Sequence, residues 1–135
     1  MELRKGTETI LVVDDEEMIK DLARDILARY GYTVLTAGGG EEAVEVYRRH
    51  KKEIAVVILD IMMPDVDGRE VFRRIREIDP AAQVIISSGY NQEHDADALL
   101  REGAAGFVKK PYRIAELVGK LGEVLENKES EKLGR

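Results

Sequence analysis

The sequence predicts an α/β fold, a doubly wound five-stranded parallel sheet built from five βα units in one domain, and three observations carry that reading. Five short apolar runs alternate with five segments whose apolar residues recur at helical spacing. Most of the runs lack the polar alternation of a half-exposed strand, as expected of a sheet covered by helices on both faces. Acidic residues follow two of the runs at once, at the strand ends where such sheets open onto a crevice. At 135 residues the chain fits one domain, with Thr9 to Glu126 as the folded unit, residues 1–8 as a polar lead and residues 127–135 as a polar tail, either helix extension or disordered.

The first run, Thr9 to Val13, ends in Asp14-Asp15. The helix after it carries Ile19, Leu22, Ala23, Ile26, Leu27 and Tyr30 on one face as a core stripe, and Gly31 is placed to end it as a left-handed cap. The second run, Thr33 to Thr36, leads to Gly38-Gly39-Gly40, which lacks the Gly-Lys-Ser or Gly-Lys-Thr of a phosphate loop and reads as a flexible turn. A second helix starts near Glu41 with Ala43, Val44 and Tyr47 inward, and its acidic start and basic end suit the helix dipole. The third run, Ile54 to Leu59, meets Asp60, and beyond the loop Asp67 caps a helix that buries Val71, Phe72, Ile75 and Ile78 before Pro80.

The fourth run, Gln83 to Ser87, is followed by Ser88-Gly89 and the polar stretch Asn91 to Asp95. The helix behind it, Asp95 to Arg101, has Ala96, Leu99 and Leu100 as its main apolar residues, so little burial anchors it and it is expected to be the mobile element. The fifth run, Gly106 to Val108, precedes Lys109-Lys110-Pro111. The last helix, Ile114 to Glu126, has Leu117, Val118, Leu121 and Leu125 in register, while Gly119 and Gly122 lower its intrinsic stability; beyond Asn127 the polar tail is expected to fray.

Composition narrows the chemistry. A formal net charge of −6 argues against direct contact with nucleic acid or anionic lipid, both of which need clustered Lys and Arg. No apolar stretch approaches the roughly 18 residues of a spanning helix, and Met1 to Thr9 is polar, so a cytoplasmic location is expected. Zero Cys excludes disulfides, thiol nucleophiles and Cys-ligated metals, and His50 and His94 lack ligand spacing to each other or to acids and read as surface residues. Oxygen ligands remain.

Four strand ends deliver Asp14, Asp15, Asp60, a serine hydroxyl and Lys110 to one edge of the sheet. At about 4 Å and an effective dielectric near 20, each like-charge pair costs roughly 4 kcal/mol, so the carboxylates either keep a proton or bind a cation. Several oxygen ligands suit Mg²⁺, with a phosphoryl group closing the set. Asp60, alone on the central strand, is the better nucleophile toward an activated phosphate, and adjacent Asp14 and Asp15 suit metal holding. Lys110 would pair with one phosphoryl oxygen and Ser88 would donate to another.

Asp14-Asp15, Asp60 with Met63-Pro64-Asp65-Val66-Asp67-Gly68, Ser88-Gly89 and Lys110-Pro111 together resemble the receiver domains of two-component response regulators, over about Thr9 to Glu126. The resemblance implies a flavodoxin-like sheet of order 2-1-3-4-5 and a phosphorelay role, in which Asp60 accepts phosphate from the phosphohistidine of a histidine kinase or a phosphotransfer protein. It implies Mg²⁺ held by Asp14, Asp15, Asp60 and the backbone carbonyl of Met62, and a switch made of Ser88 and Phe107 that is read out on the face of the fourth helix, fifth strand and fifth helix. It implies a signalling domain and not an enzyme beyond its own phosphorylation and dephosphorylation, admits a phosphorylation-dependent dimer, and suggests a cis bond before Pro111. Met62 departs from the polar residues common two places after the acceptor, and a thioether cannot readily orient an attacking water, so a comparatively persistent phosphoaspartate is expected. The wording Ile85 to Tyr90 and the polar tail are similar to receivers attached to hybrid sensor kinases.

Two other classes compete. Asp65-Val66-Asp67-Gly68 superficially gives the Asp-x-Asp-Gly string of haloacid dehalogenase-like phosphatases, whose nucleophile ends a strand, and Asp65 instead follows Met63-Pro64. A flavin-binding module of the same topology needs a Ser/Thr-rich phosphate loop after the first strand, where Asp14-Asp15-Glu16-Glu17 would repel the phosphate.

Overall fold

The order in which the apolar runs pair decides which acidic residues can meet. The computed structural model describes residues 3–89 and 92–132, with side chains to residue 130. In chain order the elements are β1 (Thr9–Val13), α1 (Glu17–Arg29), β2 (Thr33–Ala37), α2 (Gly40–His50), β3 (Ile54–Asp60), α3 (Gly68–Ile78), β4 (Val84–Ser88), α4 (Glu93–Arg101), β5 (Gly106–Lys109) and α5 (Ile114–Lys132). The strands form one parallel sheet of order β2-β1-β3-β4-β5, the flavodoxin-like order expected. The order reverses between β1 and β3, so their carboxyl ends flank the crevice of a doubly wound fold. Val13 lies opposite Leu59 and Asp60 opposite Ser87, which sets Asp14 beside the end of β3.

Alternate residues of each strand point to opposite faces, and both faces are buried. Leu11, Val13, Val57, Leu59 and Ile86 pack with Tyr47 of α2, Phe72 and Ile75 of α3 and Leu99 of α4. Ile10, Val12, Val56, Ile58 and Ile85 pack with Ala23 and Leu27 of α1 and Leu117 and Leu121 of α5. This two-sided cover is the physical reason that the central runs read as unbroken apolar stretches. Edge strand β2 is less buried and keeps Thr33 exposed.

Several element edges differ from expectation by a residue or two. β3, β4 and β5 each run one residue further, because Asp60, Ser88 and Lys109 still find register partners. α4 begins at Glu93, with two acids in its first turn favoured by the dipole. α5 passes its expected end by six residues and takes in part of the tail: Lys128 Nζ donates to Ala55 O at 3.2 Å, and Glu129 pairs with Arg4 at 2.7 Å. The end of that tail, residues 133–135, and Asn91 lie outside the described residues. In α1 the stripe is narrower than read: Leu22 is exposed, Ile19 and Tyr30 are half-buried, and Lys20 is buried while its Nζ reaches Glu17 at 2.7 Å. Gly31 has the expected positive φ, +97°, and an added Cβ would stand 2.2 Å from Gly6 O.

The triple glycine has a packing cause. The N-cap of α2 is Gly39, which has no side chain to offer, and Asp65 from the β3–α3 loop caps the helix in its place. Asp65 Oδ1 accepts from Gly40 N at 3.0 Å and Oδ2 from Glu41 N at 3.3 Å. A Cβ on Gly39 would come within 2.8 Å of Asp65 Oδ2, and one on Gly40 within 2.6 Å of Val66 Cβ. The glycines thus admit the loop that follows Asp60. The Gly40 N–H bond, above all, holds the Asp65 carboxyl below its ordinary value of 3.8. The unfolded chain therefore binds this proton more readily than the folded one, and the cap stabilises above about pH 4 and fades as pH falls. Asp65→Ala should cost about 1 kcal/mol at pH 7, as caps do, and the gap to the unaltered chain should shrink in denaturant melts taken toward pH 3.

Candidate functional site

Two carboxylates that the fold buries almost completely share one ammonium at the carboxyl edge of the sheet. Asp14 is 0% and Asp60 1% exposed. The Asp14 main chain continues the β1–β2 ladder through Ala37 O, and its Oδ1 accepts from Glu16 N at 2.9 Å. Asp60 Oδ1 accepts from Met62 N at 3.1 Å, which fixes the carboxylate against its own loop. Lys110 Nζ donates to Asp14 Oδ2 at 3.1 Å and lies 3.2 Å from Asp60 Oδ2. The second contact lacks hydrogen-bond alignment, so Asp60 Oδ2 has no hydrogen-bond partner among the described residues.

Asp15 completes the cluster from an exposed position: one carboxylate oxygen from each of Asp14, Asp15 and Asp60 falls within 4.8 Å of the others. An all-oxygen, net-negative donor set, in which one ammonium faces two buried carboxylates, fits a hard divalent cation. Gly68 keeps the loop close, since a Cβ there would stand 2.6 Å from Ile61 Cα and 2.8 Å from Asp60 O. Burial first, and then the Asp14 charge, raise the Asp60 carboxyl from 3.8 to about 6, against the opposing pull of Lys110 and the Met62 N–H. Burial also opposes the Lys110 charge, yet the hydrogen bond to Asp14 and the charges of Asp60 and Asp14 outweigh it and raise that pKa above its ordinary value.

The other expected residues lie on neighbouring strand ends. Ser88 closes β4, is fully buried, and its Oγ has no hydrogen-bond partner among the described residues. Its carbonyl accepts from Lys110 N at 2.8 Å, which ties the β5–α5 turn to β4. Phe107, half-buried on β5, lies opposite Ile86 and packs against the core shared with α2, α3 and α4. Ile86 and Ser88 share that face by strand alternation, so Ser88 and Phe107 look the same way. The Lys110–Pro111 bond is cis. Met62 is 61% exposed and lies at the mouth of the loop. Lys109 is exposed, 3.7 Å from Glu93, as a solvated lysine should be.

Sequence reasoning missed the Asp65 cap and the hydrogen bond between Ser87 and Tyr112, 2.7 Å from oxygen to oxygen, because each pairs residues 25 positions apart with no local periodicity. Asp65 and Asp67 are both exposed helix caps, with Asp67 Oδ1 accepting from Arg69 N at 2.9 Å, so neither supplies the strand-end nucleophile of a haloacid dehalogenase-like phosphatase. A flavin phosphate after β1 would meet the Asp14–Asp15 carboxylates.

Comparison with known proteins gives the same result. A family profile described as the response regulator receiver domain matches residues 10–122. The chemotaxis protein CheY of Thermotoga maritima is 34% identical over 116 residues, which cover 85% of this chain and 95% of that protein. The sensor kinase CckA of Brucella abortus is 32% identical over 124 residues, 92% of this chain, and the chain spans 13% of its length. The CheX–CheY–BeF3–Mg complex of Borrelia burgdorferi contains a chain 34% identical to this one, with a TM-score of 0.82 over 87% of this chain and 88% of that one. Fold, acidic edge and relatives converge, and the chain belongs to the receiver domains of two-component response regulators.

Proposed function

We propose that Asp60 is the phosphoacceptor of this receiver and that Asp14, Asp15, Asp60 and the Met62 carbonyl hold Mg²⁺ beside it. The observation that carries this reading is the buried Asp60 carboxylate, which faces Asp14 and, 3.2 Å from its Oδ2, the Lys110 ammonium, and whose Oδ2 has no hydrogen-bond partner among the described residues. A carboxylate oxygen of Asp60 attacks the phosphorus of a donor phosphohistidine. The P–O bond forms as the P–N bond breaks, and the imidazole leaves with the electron pair. Lys110 pairs with one phosphoryl oxygen, and the Ser88 hydroxyl donates to another. The metal, when bound, neutralises charge on the phosphoryl oxygens.

The donor is a histidine kinase or phosphotransfer protein, and the chain itself is a signalling domain in the cytoplasm. None of its described helices is long and apolar enough to cross a membrane. Met18 on α1, Met62 beside the acceptor and Ile114 at the start of α5 are exposed apolar residues on elements that flank the acidic edge, and they suit a protein donor docking there. The output face is α4, β5 and α5, with Ser88 and Phe107 as the switch. α4 supports this role because Ala96 and Leu99 are its buried residues, while the side-chain ties of Arg69 to Asp95 and Arg73 to Glu102 are solvent-accessible.

Intact-mass measurement after treatment with acetyl phosphate and Mg²⁺ should give an adduct of one phosphoryl group, absent from Asp60→Asn; an adduct of equal yield in that variant overturns the assignment. The raised Asp60 pKa adds a stability test. The folded chain keeps a proton that the unfolded chain releases, so stability falls as pH rises from about 4 to about 6, and the ionised group then costs about 3 kcal/mol at most. Asp60→Asn should therefore melt above the unaltered chain at pH 7.5 without divalent ion, the gap closing toward pH 4, and Mg²⁺ should raise the melting point of the unaltered chain more. Met62→Asn should accelerate loss of the phosphoryl group roughly severalfold by giving water an orienting amide, and an unchanged decay rate would count against a role for the exposed thioether.

A further inference from the structure

Tyr112 and Ser87 form a buried hydroxyl pair that the reaction above leaves idle. Tyr112 is 7% exposed and Ser87 0%, and their oxygens are 2.7 Å apart. On this face of the sheet the pair sits between the apolar Ile85, Val108 and Leu117, which belong to the same cluster as Tyr112, and the buried Asp60 carboxylate on the neighbouring strand. A neutral hydrogen bond nets only about 1 kcal/mol, while either hydroxyl left alone in such surroundings costs more than that, so core stability gives little reason for the pair.

Its placement gives a better one. Ser87 is the register partner of Asp60, and its carbonyl accepts from Ile61 N at 3.2 Å. Tyr112 stands two residues after Lys110, on the turn whose main chain is tied to Ser88 O. The hydroxyl pair therefore links the strand next to the acceptor with the turn that carries the ammonium. Asp14 and Asp60 lie close enough to Tyr112 to add to the rise that burial causes in its pKa. Lys110 needs such support, because a lysine side chain carries roughly 2 kcal/mol of rotamer entropy and here must hold 3.1 Å and 3.2 Å contacts to two carboxylates.

We propose that the Ser87–Tyr112 pair is a positioning device that fixes the β5–α5 turn so that the Lys110 ammonium lies across Asp14 and Asp60 during phosphoryl transfer. The inference rests on Asp60 being the phosphoacceptor. The test follows adduct formation with acetyl phosphate at saturating Mg²⁺ by intact mass, in the full chain, Tyr112→Phe, Ser87→Ala, Lys110→Ala and the two doubles with Lys110→Ala. Each hydroxyl variant should lower the limiting rate about tenfold with little change in half-saturating acetyl phosphate or Mg²⁺ affinity. In the Lys110→Ala background either should cost less than about twofold, since its effect passes through the lysine.

A limiting rate equal to that of the unaltered chain, or the same loss repeated without Lys110, overturns the proposal. If Tyr112→Phe melts below the assay temperature, Ser87→Ala, the smaller change, decides by the same comparison. An unaltered chain that takes up no phosphoryl group overturns the phosphoacceptor reading and this inference with it, whereas normal uptake with unaffected variants removes the positioning role alone.

Discussion

Two buried carboxylates compensated by one ammonium set the terms for the rest of this molecule. Asp14 and Asp60 leave a deficit of positive charge within the sheet edge, and exposed Asp15 enlarges it. Folding tolerates the arrangement because hydrophobic burial on both sheet faces is extensive, while the edge retains a local preference for a proton, a cation or a transferred phosphoryl group. The raised Asp60 pKa is the thermodynamic trace of that preference. Stability is given up at one rim so that chemistry can relieve the strain there, which is the general pattern of sites that break local rules.

The chain supplies the geometry for this from parts far apart in sequence. Asp14 and Lys110, 96 residues apart, meet because β1 and β5 end on the same side of a parallel sheet. The loop after Asp60 is held from outside by the α2 amino terminus, through Asp65, and from within by the close approach of Gly68 to Ile61. Both ties lie within eight residues of Asp60, and neither touches its carboxylate. The loop after Asp60, which carries the carbonyl proposed as a metal ligand, is thus positioned by a helix cap and a missing side chain.

Much of this is legible in the amino-acid sequence. Apolar runs ending in Asp14-Asp15 and Asp60 place the acids, since a parallel strand buried on both faces does not alternate and its carboxyl end falls within a residue of the first charge. The capping role of Asp67 was legible because a cap acts on the next turn of its own chain. What escaped was non-local or atomic. Asp65 caps a helix that begins 25 residues earlier, Ser87 finds Tyr112 through the sheet, and α5 continues past Glu126 because Arg4 and the Ala55 carbonyl hold its polar end. Composition describes that end as tail, whereas tertiary contact makes it helix, the usual way in which context overrides propensity.

The proposed switch follows from the same imbalance. Ser88 keeps a buried hydroxyl with no hydrogen-bond partner among the described residues, at the end of β4 and on the face that packs toward α4. Leaving it so costs on the order of 1–3 kcal/mol, which a phosphoryl oxygen at the neighbouring strand end would recover. Movement of Ser88 toward that oxygen vacates volume on the face where Phe107 already packs, and a close-packed core answers lost volume by rearranging a side chain. α4 lies over this face with two buried residues and ion pairs to α3 that solvent screens, so little burial anchors it. In the proposed switch a phosphoryl group at Asp60 would act on this lightly anchored element, with the more strongly buried α5 and β1 as the frame.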